Sequence, residues 1–199
     1  MHYCTGDMMK YIGRAKAICI TTNGFVKSDG TCVMGAGVAK QFSDMYPQLS
    51  KILGDSIKAN GNHVSVITNI AGTDIIAFPT KLASITITDM NQVVSHKRKD
   101  FKIGQTIPGF WALSDKELIR QSCSELTALC RKENYKYLIL PIPGCSNGGL
   151  NFKTDVEPIL LEKFNHLDEV YIMSFKEKDF LWEKYLEMTK LHMKLITMK

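Results

Sequence analysis

A chain of 199 residues, 45% of them hydrophobic and 23% charged, is long enough to bury the core of one globular domain. No apolar run approaches the roughly 18 residues that cross a membrane, and the N-terminus lacks the apolar core of a secretory signal. We therefore expect a cytoplasmic protein without a membrane partner. The net charge of +5 favours acidic ligands but does not by itself identify nucleic acid as a partner.

The first predicted elements are strands. Short apolar or β-branched runs recur between stretches with helical spacing, which predicts an α/β fold with three layers, α/β/α. The opening residues 2–7 predict a further strand at one edge. The runs at 63–68 and 74–80 are too close for a crossover helix, so the central sheet should be mixed. The five strand-like runs cover residues 15–22, 63–68, 74–80, 135–143 and 168–175.

Three helical stretches separate these strands. The first runs from Gly37 to Asn60 and is broken before Pro47, the second covers 114–134, and the third covers 155–165. Ser114 followed by Glu117 has the spacing of a capping box, which predicts that the second helix starts at Ser114.

Residues 82–112 do not fit this alternation, because they have no helical period. We interpret them as an insertion beside a ligand site, in which residues 84–88 and 102–107 pair as a hairpin. The insertion contains the basic cluster 96–102. This cluster is a candidate contact for nucleic acid, and a solvated loop is the alternative.

The cysteines are scattered, with no CxxC pair and no histidine nearby at ligand spacing. This pattern indicates neither a disulfide framework nor a metal site, and we expect no cofactor. Free and mostly buried thiols are expected at Cys4, Cys19, Cys32, Cys123, Cys130 and Cys145.

A small-residue loop, Gly35-Ala36-Gly37, precedes the first helix near Val38. Glycines expose main-chain N–H groups and a helix start adds the positive end of its dipole, so the pair suits a pyrophosphate. The stretch is neither a P-loop nor a GxGxxG fingerprint, and an ordinary tight turn is the alternative.

A second glycine-rich loop follows the strand near residue 140 and contains Gly144, Gly148 and Gly149. Two such loops at the carboxyl edge of one sheet would hold a diphosphate from opposite sides. The alternative is an Asn-Gly turn that only needs a positive φ.

Taken in order, these motifs resemble the macro domain, the ADP-ribose-binding module, over about residues 3–175. The matching stretches are TGD (5–7), ICITTNG (18–24), GAGVA (35–39) and PGCSNGGL (143–150). FPTK (78–81) and the segment 111–126 are similar to one branch of the family. That branch contains the DNA-thymidine ADP-ribosyl glycohydrolase antitoxins and the terminal ADP-ribose glycohydrolases. The resemblance implies a single macro domain over 1–199.

The resemblance also assigns binding roles. Asp7 would accept a hydrogen bond from the adenine amino group, Asn23 would bind the distal ribose, and the two glycine loops would hold the phosphates. The alternatives are local caps: Asp7 for the next helical turn and Asn23 for its own strand end. The implied ADP-ribose-binding residues are Asp7, Met8, Asn23, Met34, Gly35, Ala36, Gly37, Val38, Pro143, Gly144, Cys145, Ser146, Asn147, Gly148, Gly149 and Leu150.

Lys81 and Asn23 are the candidate catalytic residues, because lysine in the similar glycohydrolases attacks or stabilises the anomeric carbon of the distal ribose. An amine acts in this way when burial lowers its pKa toward neutrality. The sequence departs from the terminal glycohydrolases at two positions. Gly148 stands where they carry an aspartate in the second glycine loop, and Asn151 stands in place of the aspartate of their common GGLDW motif. Asp29 is a candidate for the missing carboxylate, with a turn as the alternative.

The expected function is therefore removal of ADP-ribose from DNA or protein, with DNA favoured, by a monomer. An ADP-ribose-1″-phosphate phosphatase is the second enzyme candidate, although no histidine is placed near the distal ribose as in such phosphatases. The third candidate is a non-catalytic protein that binds or sequesters ADP-ribose-type nucleotides; it would keep both glycine loops and tolerate loss of Lys81.

Overall fold

A computed structural model describes residues 1–175; the last part of the domain expected over 1–199 lies outside the described residues. The strands are β1 (His2–Thr5), β2 (Ala17–Asn23), β3 (Ser65–Ile70), β4 (Thr73–Lys81), β5 (Ser84–Thr86), β6 (Thr106–Pro108), β7 (Leu138–Pro141) and β8 (Val170–Ser174). The α-helices are α1 (Gly37–Met45), α2 (Leu49–Asn60), α3 (Lys116–Glu133) and α4 (Glu157–Phe164).

Six strands form the central sheet in the order β1-β8-β7-β2-β4-β3. All neighbours are parallel except β3 and β4, which form an antiparallel hairpin. The predictions of a mixed sheet and of an edge strand at the N-terminus are therefore confirmed. The five parallel strands β1, β8, β7, β2 and β4 end at the same edge of the sheet, which is where open α/β sheets bind ligands.

Alternating residues of the strands face opposite helical layers. Ala17 and Cys19 of β2 belong to the core beneath α3 and α4. Ile18 and Ile20, of the same strand, belong to the core beneath α1 and α2. A strand that is apolar on both faces is stable only when both faces are covered, and each fully buried Ile contributes about 1.5–3 kcal/mol. The three-layer α/β/α fold is thus confirmed.

The first helical stretch breaks where the sequence predicts. Helix α1 ends at Met45 and α2 begins at Leu49. Pro47 lies between them; its ring disfavours helical backbone at Tyr46. The third helix opens differently, as a π-helical turn over Phe152–Val156 that continues into α4.

The start of α3 corrects one prediction. Asp115, not Ser114, is the N-cap, and its carboxylate accepts a hydrogen bond from the main-chain N–H of Leu118 at 2.7 Å. Ser114 instead packs below the second glycine loop, where its N–H donates to the carbonyl of Gly148 at 2.8 Å. Its hydroxyl is buried without a hydrogen-bond partner among the described residues. Packing of the loop thus moves the helix start by one position.

We expect Asp115→Ala and Ser114→Ala to differ in stability. Removing the Asp115 cap should lower the free energy of unfolding by about 1 kcal/mol. Ser114→Ala deletes a buried, unpartnered hydroxyl and should be neutral or stabilising. Urea unfolding at constant m-value measures both. An equal or larger loss for Ser114→Ala would restore Ser114 as the cap.

The insertion forms a small unit beside the sheet. Strands β5 and β6 pair antiparallel, as the sequence predicts. Ile87, Val93 and Ile107 are buried in a separate small core, against which Trp111 packs. Gly109 permits close contact with the end of β4, because a Cβ there would lie 1.7 Å from the carbonyl oxygen of Leu82.

Residues 1–175 contain no helix with the length and apolarity needed to cross a bilayer. Within the same range, no three His, Cys, Asp or Glu side chains gather in a way that would hold a metal ion. Cys4, Cys19, Cys32, Cys123 and Cys130 are buried free thiols, and Cys145 is partly buried.

Candidate functional site

Asn23 and Lys81 lie side by side at the carboxyl ends of adjacent parallel strands. They are register partners across β2 and β4, next to an irregularity in the pairing between Thr22 and Asn23. A bulge of this kind re-aims side chains at the rim of a sheet. The carbonyl of Lys81 accepts hydrogen bonds from Gly24 N and from Asn62 Nδ2, both at 3.1 Å. The fold therefore brings the two predicted catalytic residues together.

The first glycine loop presents main-chain amides at the start of α1. Ala36 is the N-cap and has no side chain that caps the helix, so the first N–H groups remain available to a ligand. Gly37 has a φ of +60°, which favours glycine. Gly35 is different, since a Cβ there would meet only Val33 Cγ1, at 3.8 Å. Packing within the protein does not require glycine at position 35.

In the second glycine loop, packing within the protein does require glycines. A Cβ at Gly148 would lie 2.3 Å from Ser114 Oγ, and one at Gly149 would lie 2.4 Å from Leu113 Cδ2. Ser146 adopts a left-handed φ of 54°, a conformation costly for a residue with a side chain. The loop is thus held in one shape against the segment that leads into α3.

The two loops face each other. The Cβ position of Gly37 lies 3.4 Å from the side-chain Nδ2 of Asn147, which belongs to the second loop. The two glycine-rich segments therefore lie next to each other, and their joint binding of a diphosphate stays a prediction.

Lys81 lies between the second loop and the insertion. Its Nζ donates hydrogen bonds to the carbonyls of Asn147 at 3.1 Å and Phe110 at 3.4 Å. Burial lowers the pKa of this amine to about 8, because the charged form loses hydration. Among residues 1–175, no carboxylate forms an ion pair with Lys81. About a tenth of the amine is therefore neutral and nucleophilic at pH 7, whereas at the ordinary lysine pKa the neutral fraction is below about one in a thousand.

Aromatic rings border the outer side of Lys81. Phe25, from the loop after β2, and Phe110, from the insertion, meet edge to face with ring centroids 5.3 Å apart. Phe110 also packs on Trp111 at 4.9 Å. All three rings are half-buried. Lys81 therefore lies between the second glycine loop and an aromatic cluster formed by Phe25, Phe110 and Trp111.

Asn23 and Asp7 both make the local hydrogen bonds that were the alternatives to ligand binding. Asn23 Nδ2 donates to the Val33 carbonyl at 2.8 Å, and its Oδ1 accepts from Phe25 N at 3.0 Å. Asp7 Oδ1 accepts from Met9 N at 3.0 Å. Each side chain retains a further donor or acceptor, so the predicted ligand contacts stay predictions.

Apart from Asp29, the remaining predicted residues fall into a buried group and an accessible group. Asp29 accepts hydrogen bonds from Thr31 within its own exposed turn, the alternative foreseen for it. The buried group consists of Met8, Met34, Val38, Pro143, Gly144 and Gly148. The accessible group faces outward and consists of Gly35, Ala36, Gly37, Cys145, Ser146, Asn147, Gly149 and Leu150.

Three residues at the site escaped the sequence reasoning. The side chain of Asn62 donates a hydrogen bond to the carbonyl of Lys81, and Phe25 packs on Phe110. No local sequence pattern predicts either contact. Phe175 is a large aromatic residue that is 46% exposed directly after β8. The N–H of Gly6, which precedes Asp7, donates a hydrogen bond to the carbonyl of Ser174, which precedes Phe175, at 2.9 Å. Phe175 and Asp7 therefore lie at the same edge of the sheet. The sequence could have indicated Phe175, because it is an aromatic residue that directly follows a buried strand.

No family model matches the sequence, and no curated protein is similar to it in sequence. Solved structures, in contrast, are similar in fold. The macrodomain of Mycobacterium tuberculosis DarG superposes with a TM-score of 0.60 at 23% identity, covering 86% of this chain and 95% of that one. The chain has the macrodomain fold. This result confirms the fold expected from the order of the motifs.

Two further macrodomain structures agree. The macrodomain of Thermus aquaticus DarG has a TM-score of 0.60 and 19% identity over 88% of this chain and 97% of that one. Thermosipho africanus DarTG, solved in complex with ADP-ribose, has a TM-score of 0.58 and 19% identity over 92% of this chain and 44% of that one. DarG macrodomains are thus among the similar structures, in agreement with the branch that the motifs resemble.

Proposed function

We propose that this macrodomain binds ADP-ribose and removes it from a macromolecule as an ADP-ribosyl glycohydrolase. The observation that carries the proposal is the position of Lys81, a desolvated amine with a pKa of about 8 at the end of a cleft between two glycine loops. The similarity in fold to DarTG, which was solved with ADP-ribose, supports the same ligand.

The cleft matches the parts of ADP-ribose in order. Main-chain amides of Gly35–Val38 and of Ser146 and Asn147 would hold the diphosphate. The amides of Gly148 and Gly149 already donate to the carbonyls of Cys145 and Ser146, at 3.0 and 3.1 Å. Asp7 and Phe175 lie beside the end of β1. Asp7 would accept a hydrogen bond from the edge of the adenine ring, and Phe175 would lie against its face. Lys81 and Asn23 lie at the other end, where the distal ribose would be. A single extended ligand therefore accounts for residues that lie far apart in the sequence.

The chemistry begins with the neutral Lys81 amine. Its nitrogen lone pair attacks the anomeric carbon of the distal ribose, and the bond from that carbon to the carrier breaks. The carrier leaves with the electron pair and takes up a proton. Water then attacks the same carbon, and the bond from that carbon to Nζ breaks with its electron pair returning to Lys81. The water gives up a proton to the nitrogen, so ADP-ribose is freed and the amine is regenerated. If Lys81 acts instead as a protonated electrostatic catalyst, water attacks directly.

One observation favours a second function, binding without catalysis. Both hydrogen bonds of Lys81 go to main-chain carbonyls of its own protein, as expected of a lysine that only braces a loop. Such a protein would recognise or sequester ADP-ribose-type nucleotides.

Calorimetry with ADP-ribose tests binding, and incubation with three substrates tests catalysis. These are ADP-ribosylated DNA, ADP-ribosylated protein and ADP-ribose-1″-phosphate, with product release followed by chromatography. The proposal expects release of ADP-ribose from DNA or protein. Release of inorganic phosphate would indicate the phosphatase, and binding without turnover of any of the three would indicate the sequestering role.

We expect Asp7→Asn to weaken ADP-ribose binding about tenfold, since one hydrogen bond to a charged acceptor is lost. Asparagine retains an oxygen for the Met9 N–H cap, but its amide N–H groups then face the adenine amino group. The free energy of unfolding should not change. Calorimetry with ADP-ribose measures the effect, and unchanged affinity would leave Asp7 as a helix cap only.

A further inference from the structure

We propose that Asn62 is a positioning residue for the reaction at Lys81: its side-chain amide fixes the peptide bond after Lys81 and thereby the direction in which the amine points. Asn62 belongs to the loop between α2 and β3. The inference rests on the proposed function, because it concerns the residue that would act on the distal ribose.

The end of β4 extends beyond the strand that supports the rest of it. Pairing between β3 and β4 begins at Ser65 and Ala77, whereas β4 continues for four more residues, to Lys81. Asn62 supplies a donor at this end. Its Nδ2 donates to the Lys81 carbonyl at 3.1 Å, as the main chain of a neighbouring strand would.

The Lys81 carbonyl accepts from a second donor as well. Gly24 N donates to it at 3.1 Å, and a Cβ on Gly24 would lie only 2.8 Å from Asn62 Nδ2. Asn62 therefore packs where glycine leaves room for it. A single hydrogen bond would let the peptide plane rotate, whereas two donors fix the plane and with it the ψ angle of Lys81.

The same peptide also directs the insertion that holds the amine. It joins Lys81 to Leu82, and the returning end of the insertion packs on this segment, where Gly109 N donates to the Ala83 carbonyl at 2.8 Å. The next residue, Phe110, provides one of the two carbonyls that accept from Lys81 Nζ. A change in the peptide after Lys81 would thus move both the origin of the side chain and a group that holds its end.

Asn62 is itself held in place by two helices. Gly61 N donates to a carbonyl in the last turn of α2 at 2.8 Å. On the other side, Glu125 of α3 accepts from Val64 N at 2.8 Å, and its second carboxylate oxygen lies 2.8 Å from His63 Nδ1. The donor therefore rests on rigid elements of the domain, which is what a positioning side chain requires.

The net contribution of Asn62 to stability is small. Its Oδ1 is buried and has no hydrogen-bond partner among residues 1–175. A buried acceptor without a partner costs at least as much as one neutral hydrogen bond contributes. The Lys81 carbonyl would also keep Gly24 as a donor if Asn62 were replaced. An amide at this position is therefore explained better by its effect on Lys81 than by the stability of the fold.

The test compares Asn62→Leu, which has nearly the shape of asparagine but no hydrogen-bonding group, with Asn69→Leu. Asn69 lies at the opposite end of the same hairpin, where its Nδ2 donates to Asp74 Oδ1 at 2.7 Å. Single-turnover release of ADP-ribose by Asn62→Leu should be about 10- to 100-fold slower than by the parent, because the amine is misplaced. Its ADP-ribose affinity should not change. Asn69→Leu should release at the parent rate even if its urea midpoint falls.

A titration that needs no substrate separates this inference from the proposed function. The pKa of Lys81 is read from the carbon-13 signal of its Cε, assigned with Lys81→Arg. It is about 8 in the parent. In Asn62→Leu it should rise by about 1, because an amine that is held less firmly regains water. Gly24→Ala, whose Cβ would displace Asn62 Nδ2, should raise the pKa in the same way and replaces Asn62→Leu if that variant does not fold.

Two results would overturn the inference in an active parent: release at the parent rate by folded Asn62→Leu, or equal slowing in Asn69→Leu, which would indicate a general loss of stability. If the parent itself releases no ADP-ribose, the proposed function fails and the titration decides. A Lys81 pKa that rises in Asn62→Leu but not in Asn69→Leu then supports the positioning of the amine, whereas a pKa that stays at about 8 in both rejects it.

Discussion

Replacement of Lys81 by alanine is expected to lower the rate of ADP-ribose release by about 10³-fold and to leave ADP-ribose affinity within a few-fold of the parent. The amine acts on the anomeric carbon, whereas most of the binding surface consists of main-chain amides elsewhere in the cleft. Single-turnover release from ADP-ribosylated DNA, together with calorimetry, measures the two quantities. Parent-like release by Lys81→Ala would eliminate the lysine mechanism and favour the sequestering function.

The pH dependence distinguishes the two roles of the lysine. The pKa of Lys81 is about 8. If the neutral amine attacks, the rate should rise about tenfold per pH unit below 8 and level off above it. If the ammonium stabilises charge, the rate should be constant below 8 and decline above it. Lys81→Arg, which stays protonated throughout, is the control: it should be inactive in the first case and partly active, with no fall above pH 8, in the second.

Gly35→Val should reduce ADP-ribose affinity about 10- to 100-fold while changing the free energy of unfolding by less than about 0.5 kcal/mol. We expect affinity and stability to respond differently because there is space around Gly35, where a Cβ would meet nothing closer than 3.8 Å. A side chain fits the free protein, but it would occupy the surface that a phosphate approaches. Calorimetry and urea unfolding measure the two effects.

Two controls accompany this variant. Ser124→Val adds an apolar side chain on exposed α3, away from the loops, and should change neither quantity. Gly148→Ala, in contrast, should lose stability as well as affinity, by about 1–3 kcal/mol, because its Cβ would collide with Ser114 Oγ. Parent-like ADP-ribose affinity in Gly35→Val would mean that no ligand lies against the first loop.

The sequence predicted the architecture because the relevant signals are local. Alternation of strand-like and helical runs, the short spacing between β3 and β4, and Pro47 each act within a few residues. The start of α3 was predicted one residue too early because Ser114 and Asp115 are both good N-caps. Only contact with the second loop, distant in the sequence, decides between them.

The sequence predicted those site residues that follow a local pattern, namely the glycines and the lysine after strand ends. It did not predict residues whose role at the site depends on tertiary contacts. The bracing of Lys81 by Asn62 and the packing of Phe25 on Phe110 depend on segments that meet only after folding. The glycines of the second loop have two possible explanations, ligand binding and the requirements of the fold itself. Gly148 and Gly149 suit a phosphate, yet close packing of Gly148 on Ser114 and the φ of +75° at Gly149 favour glycine there in any case. Gly35, which packing does not require, is the sharper indicator of a ligand.

A crystal structure of the protein soaked with ADP-ribose tests the central claim most directly. We predict diphosphate oxygens within about 3 Å of main-chain nitrogens from both glycine loops, 35–38 and 146–147, with the anomeric carbon of the distal ribose facing Lys81 Nζ. An empty gap at saturating nucleotide, or a diphosphate held by side chains elsewhere on the surface, would contradict the account.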